Sequence, residues 1–73
     1  MMHPLKSYRE MQTPPLSQKQ LARLLGVSRT TVARWETGIR KIDPTRLRVI
    51  LKKTGVPLSE LRPDLAEIMR GTE

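Results

Sequence analysis

An all-α fold is predicted for this 73-residue chain, and three observations predict it. Apolar residues recur at three- and four-residue steps rather than in the alternation of a strand. The apolar segments are bounded by helix start and stop residues, Ser or Asp-Pro before and Gly after. The aliphatic supply, ten Leu, four Ile and four Val, suits a small helical core. The expected architecture is a compact domain of five helices, extending to a sixth in the C-terminal segment, with residues 1–73 as one unit.

Each element has its own signals. Pro4 can open a first helix over about 4–12, because the N–H it lacks is not needed there. Leu5, Tyr8 and Met11 fall on one face, and Pro14-Pro15 forbid continuation. Ser17 followed by Gln20 reads as a capping box for a second helix over 18–25. There Leu21, Ala22, Leu24 and Leu25 cluster on one side, with Lys19, Gln20 and Arg23 on the other. Gly26 fits the left-handed residue that closes a helix. Ser28 is the expected N-cap of a third helix over 29–36, which Gly38 stops. Asp43-Pro44 reads as cap and first turn of a fourth helix over 44–54, apolar at Leu47, Ile50 and Leu51. Lys52 and Lys53 complement the dipole in its last turn, before Gly55. Short helices over about 57–62 and 64–70 complete the chain.

Composition removes several functions. With no Cys there is no disulfide framework and no Cys-based zinc site. His3, the only His, lies at a terminus expected to be mobile, and nothing suggests a metal ligand or a cofactor. The acids lack a paired arrangement, so an enzyme fares badly. No apolar run is long enough to span a bilayer, and no apolar segment marks a signal peptide, so a cytoplasmic protein is expected. The net charge is +7, and it is unevenly spread. Residues 19–53 carry ten Lys/Arg against Glu36 and Asp43, and residues 54–73 carry two basic against four acidic groups. Such concentration suits a polyanion-binding face, the alternative being a biased solvated surface.

The stretch GVSRTTVARWETG sharpens that choice. On a helical wheel with Arg29 at 0°, Val32 and Trp35 fall at about 300° and 240°, while Ala33, Thr30 and Arg34 fall at about 40°, 100° and 140°. One arc is a wedge for a core. The other is a polar strip with a small residue in it, a shape that suits the DNA major groove, where Arg bonds guanine and Thr meets a thymine methyl. For a lone helix, plain solvation is the stronger explanation of the strip. Gly26-Val27-Ser28, however, joins the second and third helices with the length and glycine of a helix-turn-helix, and Leu21, Leu25, Val27, Val32 and Trp35 suit two crossed helices, with Ala22 at their close approach.

LSQKQLARLLGVSRTTVARWETGIRK, residues 16–41, resembles the Cro and CI repressor type of helix-turn-helix, the XRE family. Gln18, Ala22, Gly26, Val32, Trp35, Glu36 and Gly38 stand where that family's pattern wants them. The tail TGVPLSELRPDLAEIM, with Leu61-Arg62-Pro63-Asp64, is similar to a YdaS-like antitoxin and Cro-like branch. The resemblance implies a repressor-like regulator of double-stranded DNA, bound through the major groove of a two-fold operator.

It also implies roles. Arg29, Thr30 and Arg34 would read bases, with Ala33 allowing close approach. Gln18, Ser28, Thr37, Gly38, Arg40 and Lys41 would hold phosphates, with Lys19 and Arg46 at the rim as either contacts or solvated charges. Val49, Pro57 and Leu58 are candidates for a homodimer interface. Glu36, an acid beside this face, is expected to pair with Arg23 or Arg40. An alternative is an antitoxin acting mainly by binding a toxin partner through the acidic segment 60–73.

Overall fold

A computed structural model describes residues 2–71, with side chains through residue 68. Six helices follow one another, with no strand among the described residues: α1 (Pro4–Met11), α2 (Gln18–Leu25), α3 (Arg29–Thr37), α4 (Pro44–Thr54), α5 (Leu58–Leu61) and α6 (Pro63–Gly71). The all-α prediction therefore holds, in its six-helix form.

The local chemistry explains most boundaries. Ser17 Oγ accepts from the Gln20 N–H at 3.1 Å while the Gln20 side chain accepts from the Ser17 N–H at 2.8 Å, the reciprocal capping box expected for α2. Gly26, at φ +73°, turns the chain out of α2, and the Val27 N–H reaches back to the Ala22 carbonyl. Ser28 caps α3 through the Thr31 N–H. Gly38 closes α3 at φ +81°.

Some expectations change. The third helix runs one residue further, to Thr37, and the first stops at Met11, with Gln12 already extended. Pro57 is the N-cap of α5 rather than its first residue, and α6 starts at Pro63, a residue well suited to a first turn. Asp43 holds the N-cap position of α4 but its side chain makes no capping bond. Asp43 is one of the residues lining a recess shared with Arg34, Arg40 and Arg46, and its charge also acts on Arg62. His3 caps α1, its Nδ1 accepting from the Leu5 N–H at 3.1 Å, so it has a fixed place in the fold.

One core holds the helices together: Leu5 of α1, Leu21, Ala22 and Leu25 of α2, Val32 and Trp35 of α3, Ile42 of the following connection, Leu47 and Ile50 of α4, and Leu61 of α5. Tyr8, Val27, Leu51, Val56, Leu58 and Leu65 pack against it. Met11 and Leu24 do not join it. Met11 ends α1 and is exposed, and Leu24 sits at the edge of the apolar arc of α2. No described helix is long and apolar enough to cross a membrane.

Candidate nucleic-acid interface

Helix α3 is held from inside. Val32 and Trp35 are 0% and 2% exposed, and they lie on the face turned toward α2. That leaves the opposite face outward by geometry alone, because positions three apart share a side and positions one or two apart do not. Arg29, Thr30 and Arg34 are exposed on it, and Ala33 is half-buried between them. The strip drawn from the sequence is thus one surface.

Beside it, residues from three segments meet in a recess of about 360 Å³. Ser28 and Thr31 come from the start of α3, Arg34 from its middle, Arg40 from the connection, and Asp43 and Arg46 from the start of α4. Three guanidiniums and one carboxylate give this recess a positive balance. The Ser28 hydroxyl is 2.9 Å from that of Thr31 and also accepts the α3 capping bond. Thr37 Oγ1 donates back to the Ala33 carbonyl at 3.0 Å, which ties it to the helix end. Gly38 and Arg40 N–H groups return to the carbonyls of Trp35 and Arg34, fixing the loop against α3. Lys41, exposed, stands 3.8 Å from Asp64. Lys19 and Gln18 stand on the first turn of α2, Lys19 exposed and Gln18 half-buried.

Glu36 answers the question of an acid in such surroundings, and its partner differs from the expected one. It pairs with Arg9 of α1, not with Arg23 or Arg40. Arg9 Nη2 donates to Oε1 at 2.9 Å and Nε to Oε2 at 3.0 Å. Gln18 Nε2 donates to Oε1 at 3.1 Å. Arg9 Nη1 also reaches the Leu16 carbonyl, at 3.2 Å. The Glu36 side chain is 4% exposed and that of Arg9 14%, so the fork is largely desolvated and its bidentate geometry is the strong kind. Burial pushes the Glu36 carboxyl up, but the hydrogen bonds from Arg9 and Gln18, with the nearby positive charges, outweigh it and hold the group below its ordinary value. Arg9 escaped the sequence reading because it lies 27 positions from Glu36, beyond any local period. The unexplained acid was the signal that an arginine should be sought on another helix.

A second fork fastens the loop. Arg62 grips Asp64 through Nε and Nη2, at 3.0 and 2.8 Å, and Nη1 donates to the Ile42 carbonyl at 2.6 Å. The hydrogen bonds from Arg62 hold the Asp64 carboxyl well below the usual carboxylate range. The α5–α6 junction thereby steadies the connection that carries Arg40 and Lys41.

These groups set a pH response. Burial pushes the His3 imidazole below its ordinary 6.5, although Glu36 pulls it partly back. The unfolded chain therefore takes up this proton first, and stability falls as pH drops below about 6.5. Glu36 and Asp64, both lowered, contribute stability that is present above about 4.5 and about 3.8 and lost together as pH falls below these values. Urea unfolding midpoints measured from pH 8 to pH 3 should decline in two stages. His3→Asn, which keeps a capping acceptor, should remove the first stage and leave the second. An unchanged two-stage curve in that variant would assign the first stage elsewhere.

Two crossed helices joined at a left-handed glycine, with an exposed basic strip on the second of them, define a helix-turn-helix protein of the DNA-binding class. A helix-turn-helix family model matches residues 5–61. The chain belongs to that family, the XRE-type helix-turn-helix proteins, whose members are DNA-binding transcriptional regulators. No curated protein and no solved structure gives a significant match.

Proposed function

We propose that this protein is a sequence-specific repressor of the phage Cro-like or antitoxin type, acting in the cytoplasm as one helix-turn-helix unit. The observation that carries the reading is the outward strip of Arg29, Thr30 and Arg34 on a helix whose other side is locked in the core. In this reading α3 enters the major groove. Arg29 and Arg34 select guanines, Thr30 meets a neighbouring base, and Ala33 lets the helix axis come close. Gln18 holds a phosphate through the amide hydrogen it does not give to Glu36. Ser28, Thr37, Gly38, Arg40 and Lys41 hold the backbone around the groove, with Lys19 and Arg46 at the rim.

Two copies meet on a two-fold operator, with half-sites about one helical turn apart. Val49, which is 40% exposed, Pro57 and Leu58 are the candidate contacts. The reading as an antitoxin that works chiefly through its acidic tail is less well supported, because Asp64 is engaged by Arg62 and Lys41 within the chain.

Selection of duplex DNA from a random pool tests this. The expected result is a two-fold motif with guanine in each half-site, and absence of any enriched motif would remove the reading. On the selected site, Arg34→Ala should cost ~1–3 kcal/mol and relax selectivity at one base step. Lys41→Ala should weaken all sequences alike and lower the salt slope by about one. If Arg34→Ala behaved as Lys41→Ala, Arg34 would be a phosphate contact.

A further inference from the structure

Helix α4 has a second side that the DNA reading does not use. Along it runs an open groove of about 570 Å³, closed on its far side by α5 and α6. Pro44, Leu47 and Leu51 of α4, Leu58 of α5 and Leu65 of α6 line it, together with the exposed Arg48 and Lys52 of α4. Leu47 is nearly buried, and Leu51, Leu58 and Leu65 are half-buried, so each of these three keeps an apolar surface toward solvent. Among the described residues, none that lines the groove is acidic and neither Arg48 nor Lys52 has an ion-pair partner.

The arrangement has a register. Leu47 and Leu51 are four apart, and so are Arg48 and Lys52, one position further round. The groove therefore presents a row of leucines and, parallel to it, a row of two cations about one helical turn apart. Arg46, which lines the basic recess, points to the opposite side of the α4 axis from Arg48. Leu58, a candidate for the two-fold contact, lines this groove, so in this proposal the partner helix takes it and Val49 and Pro57 are left for a second copy.

We infer that this groove docks an acidic amphipathic helix of a partner protein. Such a helix would lay apolar side chains at i, i+3, i+4 and i+7 along the leucines and place Asp or Glu opposite Arg48 and Lys52. The positive balance of the groove selects the acidic version of that motif and disfavours a basic one. Because the groove and the reading strip lie on different sides, partner and DNA are held together.

The probe is a pair of synthetic helical peptides, each with Leu at i, i+3, i+4 and i+7, one carrying Glu on the flanks and the other Lys. Calorimetry and amide chemical shifts of the full chain report binding. The Glu peptide should bind saturably and shift residues of α4, α5 and Leu65. The Lys peptide should bind at least tenfold more weakly. The Arg48→Gln/Lys52→Gln variant, folded by circular dichroism, should lose about tenfold for the Glu peptide. Equal binding of the two peptides, no saturable binding, or shifts centred on α2 and α3 would overturn the proposal. So would a self-association, measured by sedimentation, that the double variant abolishes, since a second copy would then be the occupant.

Discussion

Trp35→Ala is expected to unfold the protein. Trp35 is 2% exposed in a chain of 73 residues with no Phe. Removing a buried Trp side chain costs ~3–5 kcal/mol in transfer and cavity terms. A domain of this length has roughly 4–11 kcal/mol of stability in total. The substitution therefore consumes a large part of it, and no second aromatic ring is present in the core cluster to collapse into the space, Tyr8 being only partly buried beside it. Far-UV circular dichroism at 37 °C should show loss of helix, and DNA binding should vanish with it. Arg34→Ala, one residue away and exposed, should keep its thermal midpoint while altering DNA selectivity. A well-folded Trp35→Ala protein would overturn this separation of support from contact.

The second large effect is expected at Glu36. Glu36→Ala leaves the Arg9 guanidinium largely buried with one carbonyl contact and strands the Gln18 amide. Removing one partner of a desolvated, hydrogen-bonded pair costs about 3 kcal/mol. The companion result is sharper. Replacing both members together, as Arg9→Met/Glu36→Leu, should be less harmful than either single change, because an apolar pair needs no desolvation. A double-mutant cycle on urea unfolding should then give a coupling above about 1 kcal/mol. A coupling near zero would mean that water screens the pair and that other contacts hold α1 to α3.

These cases show which parts of the molecule could be read from sequence. The helices were legible because their signals are local: the Ser17–Gln20 box, Gly26, Ser28 and Gly38 each act within a few residues. The inner face of α3 was legible for the same reason, since Val32 and Trp35 sit one turn apart. Ile42 was not legible, being a core residue in a connection with no period to reveal it. Arg9 and Arg62 were not legible either, because each acts across the fold, over 27 and 20 positions. For His3 and Asp43, composition pointed one way and geometry another. The imidazole found a capping role near the N-terminus, and the carboxylate makes no capping bond to its own helix. The groove beside α4 depends on α5 and α6 folding back, which no single helical wheel displays.

The fork at Glu36 also bears on how this recognition unit could be moved between proteins. Residues 16–41 contain the two crossed helices, both glycines and every proposed base-reading side chain, so they look like a portable cassette. They are not one, because the Glu36 carboxylate of α3 is gripped by an arginine outside the segment, at position 9. A chimaera built by transplanting 16–41 alone would inherit a largely buried anion at the back of α3 with Gln18 as its partner and no counter-ion. A donor segment beginning at Pro4 would bring its own counter-ion, and new specificities grafted onto Arg29, Thr30 and Arg34 would then rest on an unaltered foundation.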